Sequence, residues 1–103
     1  MITWMRTADI HDGKIDEAFS WAVKVANYIN KKFKGVKVQV FRNVAGPAFQ
    51  VHWVVNYPSL AIFEDKWRQI QADKGYGDLL KELREQSALV GASIVDSIYE
   101  SVS

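Results

Sequence analysis

Residues 36–57 read VKVQVFRNVAGPAFQVHWVVNY, and the periodicity of this stretch decides the fold. Val36, Val38 and Val40 alternate with Lys37, Gln39 and Phe41, and Phe49, Val51, Trp53, Val55 and Tyr57 alternate with Gln50, His52, Val54 and Asn56. A period of two puts successive side chains on opposite faces of a strand. Gly46-Pro47 between the runs is a turn signal, so the stretch predicts two antiparallel strands joined as a hairpin, the second over 49–57. One histidine lies in the middle of that second strand.

Upstream, Ile15, Ala18, Phe19, Ala22, Ala26, Ile29 and Phe33 recur at spacings of three and four, which predicts an amphipathic helix over Lys14 to Phe33. Gly35 stands where a left-handed residue ends a helix. ITWMRTA, residues 2–8, is short and rich in β-branched and aromatic types and reads as a strand ended by Asp9, His11, Asp12 and Gly13. Downstream, Ser59 suits an N-cap, and Leu60, Phe63, Trp67 and Ile70 form a second helical stripe. Lys74-Gly75-Tyr76-Gly77 interrupts this stripe before Leu79, Leu80 and Leu83 resume it. Gly91 marks its end, and ASIVDSIYESV, residues 92–102, has the composition of a final strand.

The order βαββαβ predicts an α+β, ferredoxin-like arrangement: a four-stranded antiparallel sheet, both helices on one face, the first and third strands central. At 103 residues the chain is read as one domain, 1–103. A net charge of +1 gives no field to draw in nucleic acid or acidic lipid, and the lysines at 31, 32, 34 and 37 suit the cation-favouring end of the first helix. With no cysteine there is no disulfide framework or thiolate chemistry. No apolar run approaches the about 20 residues of a membrane span, and the first residues lack a secretory pattern. A soluble, cytoplasmic protein is the default expectation.

The helices are expected to cover Val36, Val38, Val40, Phe49, Val51, Trp53 and Val55, leaving His52 on the opposite face. A guanidinium or carboxylate under the helices would lose its water, which sends Arg6, and Trp4 by alternation, to the open face with Ile94, Asp96 and Ile98. Val95 and Tyr99 are then assigned to the helix side. An open face with Trp4, Phe41, Val54, Ile94 and Ile98 is too apolar to stay in water, and its simplest cover is the same face of a second copy.

The element order, the opening ITWMRT and the phrase YPSLAIFEDKWRQIQADKGYGDLL, residues 57–80, resemble the dimeric α+β barrel superfamily, in particular its antibiotic-biosynthesis-monooxygenase-like and NIPSNAP-like small domains. The resemblance implies a homodimer through the open sheet face and a small-molecule cavity, either between sheet and helices or within the barrel. Haem-degrading relatives use a first-strand asparagine, a tryptophan on the second helix and a histidine just after it. Arg6 and Trp67 stand at the first two positions and no histidine follows His52, so no haem or other cofactor is expected.

A histidine titrates near neutrality, which makes His52 the candidate catalytic proton carrier. The candidate ligand-binding set is Trp4, Arg6, Gln50, His52, Tyr57, Trp67, Tyr76 and Tyr99, with Arg6 either paired to Asp96 or free to hold a carboxylate or enolate. Asp9, His11 and Asp12 share one turn without a second cluster, so no metal is expected, and Asp12 is assigned to capping the helix. RNA-recognition motifs share this element order, but PAFQVHWV lacks their basic start and glycine and the charge is neutral, so no nucleic-acid partner is expected. The leading expectation is a homodimer with an apolar, aromatic-lined pocket for an elongated hydrophobic or amphipathic molecule. The alternatives are a cofactor-independent oxygenase, cyclase or isomerase using that pocket, an RNA-binding domain, or a purely structural dimer module.

Overall fold

A computed structural model describes all of residues 1–103. The chain runs β1 (Ile2–Asp9), α1 (Ile15–Lys32), β2 (Gln39–Arg42), β3 (Gln50–Tyr57), α2 (Leu60–Gln71), α3 (Lys74–Gln86), a single 3-10 turn (Gly91–Ser93) and β4 (Val95–Glu100). The strands form one antiparallel sheet in the order β2-β3-β1-β4, so the first and third are central. This is the ferredoxin-like α+β architecture.

Register fixes which residues share a face, because partners directly across a ladder point the same way. Trp4 lies opposite Val55 and Arg6 opposite Trp53, while Val51, Trp53, Val55 and Tyr57 are buried beneath the helices. Trp4 and Arg6 therefore sit on the helix face, contrary to the expectation from charge. The same correction applies to β4. Asp96 is opposite Arg6 and Ile98 opposite Trp4, on the helix side, while Val95 and Tyr99 share the open face with Thr7 and Thr3. The apolar alternation Ile2, Trp4, Ala8 outweighs one guanidinium, because that guanidinium has a carboxylate directly across the ladder.

The hairpin is shorter than its periodicity suggests. Val36 and Val38 are buried, but pairing begins only at Gln39, because the Asn30 side chain takes both backbone groups of Val38: its Nδ2 donates to Val38 O at 3.1 Å and its Oδ1 accepts from Val38 N at 2.6 Å. Phe49, assigned to the helix side, precedes the strand and stays about half exposed.

Helix ends follow the capping rules with three departures. Ser59 caps α2, its Oγ accepting from Ile62 N at 3.2 Å. Asp12 does not cap α1; the N-cap is Lys14, which has no side-chain cap bond. The helical break falls at Ala72-Asp73 rather than across 74–77. Asp73 caps α3 by accepting from Tyr76 N at 2.9 Å, and Gly75 and Gly77 lie inside the first turns of α3. Gly75 is required by packing, since a Cβ there would run into the Tyr28 hydroxyl on α1. That hydroxyl donates to Asp73 at 2.5 Å, and Lys32 also pairs with Asp73, so one carboxylate ties α1 to the start of α3. Finally, α3 ends at Ser87, which takes the left-handed conformation (φ 52°), and not at Gly91.

The core holds 22 buried residues, none of them charged. Two of its indole N–H groups are satisfied by helix carbonyls: Trp21 donates to Leu79 O at 2.8 Å and Trp53 to Ala22 O at 3.3 Å. Each bond spares the cost of burying an unpaired donor, about 1–3 kcal/mol. No helix is long and apolar enough to cross a membrane.

Candidate functional site

Between the sheet and the helices lies a cavity of about 80 Å³. One water needs about 10–15 Å³ by this measure, so the space matches a small cluster of waters or an apolar group of similar bulk without any movement of its walls. The sheet supplies Trp4, Arg6, Trp53, Val55 and Tyr57; α1 supplies Trp21, Val25 and Ile29; α2 supplies Phe63, Trp67 and Ile70; α3 supplies Tyr76, Leu80 and Leu83. Of its 18 lining residues 17 are hydrophobic, and the exception is Arg6.

Arg6 gives this lining its chemistry. Its Nε donates to Asp96 Oδ1 at 2.6 Å and its Nη2 to Asp96 Oδ2 at 2.8 Å, a bidentate pair. A guanidinium carries five N–H donors, so both on Nη1 and one on Nη2 remain beyond this pair. Its carbon lies 5.5 Å from the centre of the Trp4 ring and 5.3 Å from that of Trp67, within the range of cation–π attraction. The two indoles are 5.9 Å apart, and Tyr76 meets Trp67 edge-on at 6.2 Å. Hydrogen bonding to Asp96 raises the Arg6 pKa further against the opposing effect of burial, so the cation is permanent. Burial raises the Tyr76 hydroxyl above the ordinary phenol value, with the Arg6 charge working against that shift, and burial alone raises Tyr57. Both tyrosines stay neutral donors near pH 7.

The eight candidate binding residues therefore do not form one pocket. Trp4, Arg6, Tyr57, Trp67 and Tyr76 line the cavity, whereas Gln50, His52 and Tyr99 lie on the other face of the sheet. There His52 is held at both ring nitrogens. Asn43 Nδ2 donates to Pro47 O at 2.6 Å and to Gln50 Oε1 at 3.1 Å, which leaves its Oδ1 as an acceptor. His52 Nε2 donates to that oxygen at 2.5 Å, and Nδ1 is hydrogen-bonded with Thr7 Oγ1 at 2.8 Å. The Asn43 orientation thus places a proton on Nε2. Gln50 continues it by donating to Asp9 at 3.0 Å.

Sequence periodicity missed Leu89 and Ile94 as lining residues, because they flank a 3-10 turn with no repeating pattern. It also missed Asn43 and Thr7 as partners of His52; the cross-strand register alone brings Thr7 opposite it. No group of three or more histidine, aspartate or glutamate side chains is placed to hold a metal ion.

Several solved structures share this fold. A NIPSNAP domain protein from Burkholderia xenovorans superposes with a TM-score of 0.81 at 13% identity, covering 100% of this chain and 96% of its own. A NIPSNAP family protein from Agrobacterium tumefaciens gives 0.79 at 19% identity, with 98% and 87% covered. A variant of SnoaB, a cofactor-independent oxygenase from Streptomyces nogalater, gives 0.72 at 14% identity, with 99% and 93% covered. No curated protein matches the chain. The NIPSNAP family pattern matches residues 3–93, nearly the whole length, and the chain belongs to the NIPSNAP family.

Proposed function

We propose that this protein is a homodimer that binds a small hydrophobic or amphipathic molecule between its sheet and its helices. The observation that carries the reading is the cavity lining: aromatic and aliphatic side chains surround a single permanent cation with N–H donors beyond its pair with Asp96. Such a site holds an apolar body by burial and orients it through one hydrogen-bond acceptor, as ligand pockets commonly do. Trp4, Trp67 and Tyr57 supply the contact surface, and Arg6 and Tyr76 the few polar groups within it.

Support for the dimer comes from the open face. Phe41, Val95 and Tyr99 are 45%, 58% and 52% exposed there, next to the half-buried Met5 and Val54. Two such faces stacked about a two-fold axis remove this surface from water. Native mass spectrometry of freshly purified protein tests both parts. A dimer mass with a co-purified small molecule released on denaturation is expected; a monomer at micromolar concentration contradicts the dimer.

A second reading makes the same cavity catalytic, as a cofactor-independent oxygenase, cyclase or isomerase. It draws on Arg6, whose charge in an apolar space stabilises a developing enolate or phenolate oxygen. His52 serves this reading only through a space between two stacked sheets, since it lies across the sheet from the cavity. Turnover of reduced quinols, lost in Arg6→Met, is the expected result; turnover unchanged by that substitution removes Arg6 from the chemistry.

A further inference from the structure

The cavity continues outward. Leu80, Leu83, Leu89 and Ile94 line both it and a wider groove of about 390 Å³, whose remaining walls include His11, Arg84 and Ser87. These four apolar residues form a throat between a greasy interior and a polar vestibule. The vestibule has one sign of charge: Arg84 forms no salt bridge, and no acidic side chain lines the groove. Its walls are held together by backbone bonds, with His11 N donating to Ala88 O at 2.9 Å and Val90 N to Asp9 O at 2.9 Å. Arg84 is brought to the same place by the last turn of α3, which Ser87 closes.

Distance along the chain sets the scale of a ligand. Arg6 and His11 are five residues apart on the extended path of β1 and its continuation, about 16 Å at the strand rise. A molecule reaching from the aromatic end to the vestibule is therefore elongated.

We infer that the ligand class is an amphipathic carboxylic acid, its apolar body passing the throat into the aromatic cavity and its carboxylate held in the vestibule by Arg84 and His11. This rests on the binding reading above and adds the head group to it. Arg6 is already neutralised by Asp96, so the charge that a carboxylate meets unpaired is Arg84. The vestibule offers the N–H groups of Arg84 and His11, whereas the interior is almost entirely apolar, which sets the orientation of the molecule.

Titration of the intact protein with decanoate and with decanol, followed by tryptophan fluorescence, tests this. The two probes share a chain and differ at the head. Decanoate is expected to bind about fivefold more tightly than decanol, an advantage typical of a partly exposed ion pair. Arg84→Gln is expected to erase that advantage and leave decanol binding unchanged. Decanol binding as well as decanoate, or a preference for decanoate that survives Arg84→Gln, overturns the head-group inference while the binding reading stands. Binding of neither probe overturns both.

Discussion

On the helix side of the sheet, Trp4, Trp53, Val55 and Tyr57 are buried around one guanidinium, whereas on the other side Phe41, Val95 and Tyr99 remain about half exposed beside a hydrogen-bonded histidine. Both faces mix greasy and polar groups. The difference lies in how the polar groups are satisfied. Arg6 has a bidentate partner across the ladder, and its N–H groups beyond that pair lie at the cavity beside Tyr76. His52 has both nitrogens occupied by a chain of neighbours running to Asp9. Polar residues on alternating strands thus differ in the hydrogen-bonding capacity they retain, and residue type alone does not say which case applies.

Substitutions on the two faces separate them most strongly. Trp53→Ala removes a buried ring packed edge-on against Trp21 at 5.9 Å and is expected to cost about 3–5 kcal/mol in urea unfolding. A loss under about 1 kcal/mol would show that the helix side is not the core. Gly75→Ala drives a methyl group into Tyr28 at the α1–α3 contact; about 2 kcal/mol of destabilisation is expected, overriding the usual helix preference for alanine. Phe41→Asp with Tyr99→Asp is expected to weaken the proposed dimer about tenfold or more in sedimentation, with the far-ultraviolet circular dichroism of the chain retained. An unaltered dimer would move the interface off this face.

Asp73 supplies a pH test of the tie between α1 and α3. Lys32 and the Tyr28 hydroxyl, with the Tyr76 backbone N–H, lower its pKa to about 2. In the unfolded chain the group titrates near 4. Its contribution is therefore complete above about pH 4, shrinks as the unfolded chain takes up the proton first, and is gone once pH falls through about 2. Asp73→Asn keeps a capping side chain and removes the charge. Its Tm is expected to lie a few degrees below wild type at neutral pH, and the gap to close toward pH 2. A gap independent of pH would mean that the charge is not what matters. The smallest effect is expected at His52: exchange for alanine costs about 1 kcal/mol through the broken network and leaves ligand binding in the cavity unchanged.

Much of the fold was legible because periodicity reports burial directly. The alternation in Val51, Trp53, Val55 and Tyr57 placed β3, and turn residues ordered the elements around it. The faces of β1 and β4 were misread for one reason. In the sequence Arg6 and Asp96 each read as isolated charges, and their pairing depends on register, which two strands separated by most of the chain do not encode locally. The same holds for the site. Trp4, Arg6, Tyr57, Trp67 and Tyr76 share the cavity lining, and the separation of Gln50, His52 and Tyr99 from them follows from which face each strand turns to the helices. The break at Ala72-Asp73 was hidden because the two glycines after it look like a breaker, whereas one of them is there to let Tyr28 approach.

The central claim is that the binding space lies between sheet and helices. Fluorescence enhancement of the neutral probe N-phenylnaphthylamine, compared between Leu80→Trp and wild type, tests it most directly, because an indole at position 80 fills the cavity from α3. The account predicts that enhancement is lost in Leu80→Trp and kept in His52→Ala. Undiminished binding by a folded Leu80→Trp protein would contradict it.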